Sequence, residues 1–311
     1  MKQMDDLMRL RAANETYEPG RRLTVMKYVL GICLVLSSAL LAAPPSEVSA
    51  AKNRFNRPSQ RTGVPQQQQH VRQAGDSANA VAVNAASYLP GVSPGGLSTI
   101  FGQNLSDVSG IVQATTEPLP YVLADVEVDV NGIRAPLFTV AYNGQEDQIN
   151  FQVPYGAPTG PSAVDIQVYN HGRLVADFIT DSYTEDPGIF TYGSNNYAVA
   201  FLGLDGSLIG PSNPAFPGDI LVLYTTGLGP LSVNLPDGYG APTNPLAYTV
   251  DPFQVLVDGS NCSVLFSGLA PGFVALYQIN FRLPSNLPAG NLSLQITSPY
   301  ASSGTVILPV R

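Results

Sequence analysis

Residues 278–284 read Gln-Ile-Asn-Phe-Arg-Leu-Pro and residues 148–154 read Gln-Ile-Asn-Phe-Gln-Val-Pro, identical at five of seven positions across a separation of 130 residues. In each copy the apolar side chains alternate with Gln, Asn and Gln or Arg, which is the period of a β-strand with one apolar and one polar face. The closing Pro has no N–H to give a neighbouring strand and ends the pairing. This predicts Phe281 inward and Arg282 outward, with Asn150 and Asn280 at matching places on the polar face. Such an amide could contact a ligand, or it could satisfy backbone groups of a loop over the strand. Duplication favours the second reading.

Outward from this pair, other landmarks recur in the same order. Val128-Asp129-Val130 runs into Asn131-Gly132, a strong hairpin dipeptide, and Val255-Leu256-Val257 runs into Asp258-Gly259 at an offset of 127 residues. Pro94-Gly95 with the strand from Leu97 to Phe101 is answered by Pro217-Gly218 with the strand from Ile220 to Tyr224. Val164 to Val168 alternates as Leu292 to Ile296 does. Short strands that each have a sequence neighbour to pair with are the habit of an antiparallel sandwich. The fold class expected is all-β: two tandem sandwiches, residues 81–184 and 185–311, after a signal peptide and a disordered linker.

The chain of 311 residues has few charges, 12%, and they are unevenly placed. Residues 81–311 hold 4 Arg and no Lys against 17 Asp and Glu, a net of −13. That balance argues against nucleic acid and anionic membranes as partners of the folded part. Of the two cysteines, Cys33 lies in the apolar run of the leader and Cys262 in the second repeat, so no internal disulfide is expected after processing.

Residues 1–50 read as a leader with a secretory signal: Lys27, an apolar stretch from Tyr28 to about Ala43, and the small-residue site Val48-Ser49-Ala50, with cleavage expected after Ala50. Met26 competes with Met1 as the start. The stretch is shorter than the roughly 20 residues of a spanning helix, so no membrane span is expected after removal. Residues 51–80, rich in Gln, Arg, Asn and Pro, read as a flexible basic linker. The expected location is extracellular or in the cell envelope.

Chemistry is sparse. Residues 81–311 contain no G-x-S-x-G and His171 is their sole imidazole, so Ser-His catalysis lacks its parts. One His and one Cys cannot supply a zinc site. The acid pairs Glu127 with Asp129, Glu146-Asp147 and Glu185-Asp186 read as solvated faces and turns rather than glycosidase dyads. Calcium would find oxygen ligands in plenty, but no EF-hand spacing is present. If a cation bridges the repeats, the place for it is Asp181 with Glu185 and Asp186, beside the Pro-Gly junction; the preferred reading makes these an exposed turn. Tyr183, Phe190, Tyr192 and Tyr197 crowd the junction, for packing rather than for stacking on sugars. No catalytic, cofactor or metal residue is assigned.

Several motifs together carry a resemblance. They are Asp186-Pro187-Gly188-Ile189-Phe190, Asn213-Pro214-Ala215 before Pro217-Gly218-Asp219, Leu223 to Gly229, and Gly268 to Gly272 leading to Tyr277-Gln278-Ile279-Asn280. Residues 81–311 resemble the acidobacterial secreted C-terminal domain first recognised in Solibacter proteins. The resemblance implies a tandem of immunoglobulin-like units similar to IPT/TIG domains in an exported protein, and brings no activity and no functional residues. The function expected is a noncatalytic extracellular interaction or adhesion module whose partner is an extracellular polymer or surface protein. The alternatives are a purely structural unit of a surface assembly and a carbohydrate-active enzyme.

Overall fold

The structure is a computed structural model that describes residues 80–159 and 162–311. The secretory signal, the start site and the basic linker up to residue 79 lie outside the described residues. The described part is all-β.

The first unit comprises β1 (Val81–Asn84), β2 (Leu97–Gly102), β3 (Ile111–Gln113), β4 (Val126–Val130), β5 (Ile133–Arg134), β6 (Leu137–Tyr142), β7 (Asp147–Gln152), β8 (Ser162–Asn170) and β9 (Arg173–Ser182). The second comprises β10 (Gly188–Ile189), β11 (Thr191–Tyr192), β12 (Tyr197–Ala198), β13 (Ala200–Leu202), β14 (Ile220–Thr226), β15 (Gln254–Val257), β16 (Ser260–Leu269), β17 (Tyr277–Arg282), β18 (Gly290–Thr297) and β19 (Val306–Val310).

In the first unit one sheet runs β1-β2-β7-β6-β3 and the other β5-β4-β8-β9. This is the immunoglobulin arrangement, in which strands A, B, E and D face strands C, F and G. The second unit repeats it: β10-β14-β17-β16 forms one sheet and β16-β15-β18-β19 the other. Its β16 belongs to both, because Ser260–Cys262 pair with β15 and Ser263–Leu269 pair with β17. In the first unit the same crossing is cut into β5 and β6 by Ala135-Pro136, where the proline has no N–H for the ladder.

Alternation fills each core. Val126, Val128 and Val130 of β4 are fully buried and meet Ile100, Ile149 and Phe151 of the facing sheet, together with Val164, Ile166 and Val168. In the second unit Leu221, Leu223, Ile279 and Phe281 meet Val255, Val257, Leu294 and Ile296. Ile149-Asn150-Phe151 and Ile279-Asn280-Phe281 lie on β7 and β17, each the inner neighbour of the matching strands β2 and β14.

The polar rows of these two strands are not outward in the sense expected from alternation. Gln148, Asn150 and Gln152 are 2%, 2% and 0% exposed, and Gln278 and Asn280 are 6% and 3% exposed. Arg282 is half-buried and donates from Nη1 to the Gly218 carbonyl at 3.1 Å. The amides satisfy each other along the strand: Gln148 Nε2 donates to Asn150 Oδ1 at 2.9 Å, and Gln278 Nε2 donates to Asn280 Oδ1 at 3.0 Å. Thr99 Oγ1 adds a second donor to Asn150 Oδ1 at 3.0 Å. The repeated Gln-x-Asn is therefore an internal amide ladder on a covered sheet face, where an unpaired amide would be costly.

Phe281→Ala should destabilise the protein by about 3–5 kcal/mol, because it empties a fully enclosed site between two sheets. Arg282→Ala should cost about 1 kcal/mol, the net worth of one half-buried hydrogen bond. Denaturant melts of the two variants check the ratio; equal losses would contradict the assigned facing.

Candidate functional site

Side chains singled out by the sequence gather at the seam between the units, and a second place, an open depression, lies on the first unit.

At the seam the recurring motifs meet. Asn84, at the end of β1, accepts at Oδ1 from the N–H groups of Ala86 (2.9 Å) and Ser87 (3.1 Å). Its Nδ2 donates to the Asp186 carbonyl at 2.6 Å and to Asp186 Oδ2 at 3.2 Å. Gly227 (φ +73°) packs against the same peptide, so that a Cβ there would stand 2.1 Å from the Asp186 oxygen. Thr226 Oγ1 accepts from Leu97 N–H at 2.7 Å and reaches the Ala275 carbonyl at 3.3 Å. Farther along, Gly238 N–H donates to Gln152 Oε1 (2.6 Å), and Tyr155 N–H to Asp237 Oδ1 (2.8 Å).

An apolar cluster seals these contacts. Ala85, Ala86, Leu97, Tyr88 and Phe138 of the first unit pack with Phe190, Phe201, Tyr224, Ala275 and Leu276 of the second. Phe190 is 1% exposed, whereas Tyr183 is 40% exposed. Tyr192 donates to the Ile209 carbonyl at 2.6 Å and lies 5.8 Å from the Tyr197 ring.

The junction acids do not form the exposed turn expected of them, and they do not converge. Asp181 is exposed on β9 and accepts a long hydrogen bond of 3.4 Å from Tyr183. Asp186 turns toward Asn84. Glu185 is buried and turns toward Ser298 and Asp251. Among the described residues no three His, Cys, Asp or Glu side chains form a group that could hold a metal ion.

The other sequence candidates fall apart in space. Cys262 is buried, and burial pushes its thiol up to about 11, which leaves no thiolate nucleophile near neutral pH. His171 (φ +50°) occupies the turn between β8 and β9, with Nε2 3.1 Å from Asp107 Oδ2 and Nδ1 3.6 Å from Asp125 Oδ2. Glu127 pairs with Arg134.

The depression, of about 340 Å³, lies beside His171 and its Asp107. It is lined by Gln103, Asn104, Ser106, Asp107, Tyr142 and Gln145, with Asp147 at its base. Asp147 is 3% exposed and ties the loop down, accepting from Leu105 N–H at 2.8 Å and Ser106 Oγ at 2.7 Å. Leu105 itself is fully buried in the core. The loop is thus pinned from both sides, and the amides of Gln103 and Asn104 and the 42% exposed Tyr142 stand on a fixed frame. No spacing pattern points to this grouping, since Gln103 and Gln145 are polar residues in two separate loops.

No family model and no curated protein matches the chain. Among solved structures it is similar to SGBP-B of the Bacteroides ovatus mixed-linkage glucan utilization locus, in complex with a mixed-linkage heptasaccharide, at TM-score 0.30 and 11% identity over 70% of this chain and 42% of that one. It is also similar to the I9-I11 tandem of titin, at TM-score 0.20 and 12% identity over 71% and 62% of the two chains. A third likeness is to the Yersinia pseudotuberculosis adhesin InvE, at TM-score 0.19 and 9% identity over 74% and 58%. This chain spans less than two thirds of each, and at these scores the likeness carries no argument about function.

Asn84→Ala should destabilise the protein by about 2–4 kcal/mol, because it strips partners from the buried Ala86 N–H, the part-buried Ser87 N–H and the Asp186 peptide at once. Gly227→Ala should cost at least as much, since its Cβ meets backbone rather than a movable side chain. Thermal melts check both; a loss under about 1 kcal/mol for either would contradict the seam geometry.

Proposed function

We propose that this protein is a noncatalytic extracellular interaction module, and that the pinned depression around Tyr142 is where it meets its partner. The observation that carries the reading is the fixed frame itself: a half-exposed aromatic ring, flanked by Gln103, Asn104 and Gln145 amides, on a loop locked by the buried Asp147. A ring with nearby amides and carboxylates suits a neutral polyhydroxylated chain, which stacks on the ring and trades hydroxyl hydrogen bonds with the rim. Asp107 and Asp147, with no lysine anywhere in residues 81–311, disfavour anionic polymers. An extracellular polysaccharide is therefore the partner class we favour.

The noncatalytic part of the proposal is supported by the scattering of His171, Cys262 and the acid pairs, none of which stands in a nucleophile and base arrangement among the described residues. Export is supported by the signal-like residues 26–50, and membership of the Solibacter-type secreted family by the motifs that gather at the seam. Among the described residues no helix is long and apolar enough to cross a membrane.

A glycan array followed by retention on insoluble polysaccharides tests the proposal with the full chain. Binding to neutral glycans is expected, weakened about tenfold or more by Tyr142→Ala, with the melting temperature unchanged. Retention that survives both Tyr142→Ala and Gln145→Ala would move the site elsewhere. If no glycan binds, the structural-unit reading replaces this one.

A further inference from the structure

Among the described residues, β9 is the one long strand that ends a sheet. It has 10 residues, whereas the other terminal strands, β1, β3, β5, β10 and β11, have 4 or fewer. Its far end alone is covered: Val92 N–H donates to the Asp181 carbonyl at 3.0 Å, and Tyr183 N–H donates to the Val92 carbonyl at 2.9 Å. The Asp181 carbonyl therefore points away from β8. Backbone groups of a strand change sides at each residue, so those of Asp177 and Ile179 point outward with it. Farther upstream a bulge opposite Val168 and Tyr169 breaks the row. An open row of N–H and C=O groups is a template for another strand, and sheets commonly blunt it with lysine, proline or a very short strand. β9 contains no lysine and no proline.

The side chains along this edge limit what can pair there. Ile179, 46% exposed, stands between Asp177 and Asp181. A second copy of β9 is a poor partner, because antiparallel pairing about Ile179 sets Asp177 opposite Asp181 twice and parallel pairing sets each aspartate beside its own copy. A strand with an apolar centre and a basic flank is the complement.

The chain carries such a stretch. Residues 51–79 hold Lys52, Arg54, Arg57, Arg61 and Arg72 against Asp76, beside a net of −13 for residues 81–311. Within them Asn53-Arg54-Phe55-Asn56-Arg57 has no Pro or Gly, and Phe55 is the sole Phe, Tyr or Trp. With Phe55 opposite Ile179, alternation sets Arg57 opposite one aspartate and Asn53 opposite the other, whichever way the strand runs. The point of attachment is near. The described chain begins at Ala80, just before Ala82, whose carbonyl accepts from Gly91 N–H at 3.2 Å, and the next residue, Val92, is the one that holds Asp181. Residues 58–79 reach about 70 Å at full extension, roughly twice the length of a ten-residue strand.

We propose that residues 53–57 add a strand to the open edge of β9 in the same molecule, so that the basic segment closes this edge until a competing strand of the same basic and apolar alternation displaces it.

Hydrogen–deuterium exchange of the full chain, resolved to single amides, tests this closure. The N–H groups of Asp177 and Ile179 should exchange about tenfold or more slowly in the wild type than in Phe55→Ala/Arg57→Gln, whose substitutions lie outside both sandwiches. Equal rates would overturn the proposal. Arg57→Asp should also lose the protection, and either Asp177→Arg or Asp181→Arg should restore it in that background, the effective one giving the strand direction. Restoration by neither would contradict the register. Val71→Ala/Arg72→Gln should change nothing, and protection lost in that variant alone would overturn the assignment to residues 53–57. Sedimentation should show no self-association that Phe55→Ala/Arg57→Gln abolishes; a dimer lost in that variant would mean that the segment pairs with a neighbour's edge, against closure within one molecule.

Discussion

The contact of Asn84 with the Asp186 peptide is the constraint on which the rest of the arrangement turns. A sandwich normally leaves the outer face of each sheet to water, and here the outer faces built on β7 and β17 carry buried amide ladders instead. Buried amides call for partners, and Gln152 finds one for its Oε1 in the Gly238 N–H of the second unit while its Nε2 has none. Part of the cover is local, as where Tyr88 packs on Val81, Val83 and Phe101. On β7 the other unit meets Gln152 through Gly238, and Asn84 fixes how closely the units approach: its Oδ1 sets the turn after β1 while its Nδ2 clamps the corner before β10. Glycine at 227 follows from the same closeness, because no side chain fits between that strand end and the Asp186 oxygen.

This arrangement explains why the duplicated motif is conserved within the chain as Gln-Ile-Asn-Phe and not merely as an alternating pattern. Ile and Phe fill the core of each sandwich, a demand that other large apolar residues could meet. Gln and Asn meet a narrower demand, since each amide needs a partner two residues away on the same strand face. The two repeats solve one problem twice, which is the structural reading of Asn150 and Asn280, with the partner being the neighbouring glutamine rather than a loop.

Much of the fold is legible in the residues. Val126 to Val130 alternates and is buried at every second position, and the Asn131-Gly132 hairpin follows it, with Asn131 at φ +52°. The polar rows misled because period-two alternation reads identically whether the polar face meets water or a second domain. The junction acids misled for a related reason: charge and a Pro-Gly turn suggest exposure, while the burial of Glu185 depends on Asp251 and Ser298, distant in sequence. The depression around Tyr142 was invisible because its rim gathers two loops whose side chains carry no spacing signal. Where the sequence was read locally it sufficed, and where the outcome depended on one unit covering the other it did not.

If the covered faces hold the two sandwiches together, neither unfolds with the other intact. Differential scanning calorimetry of the full chain measures this directly. A single transition whose calorimetric and van't Hoff enthalpies agree is the expected result, with Gly227→Ala splitting it into two. Two separate transitions in the wild-type protein would contradict the account, because they would mean that each sandwich is stable with its amide-lined face open to water.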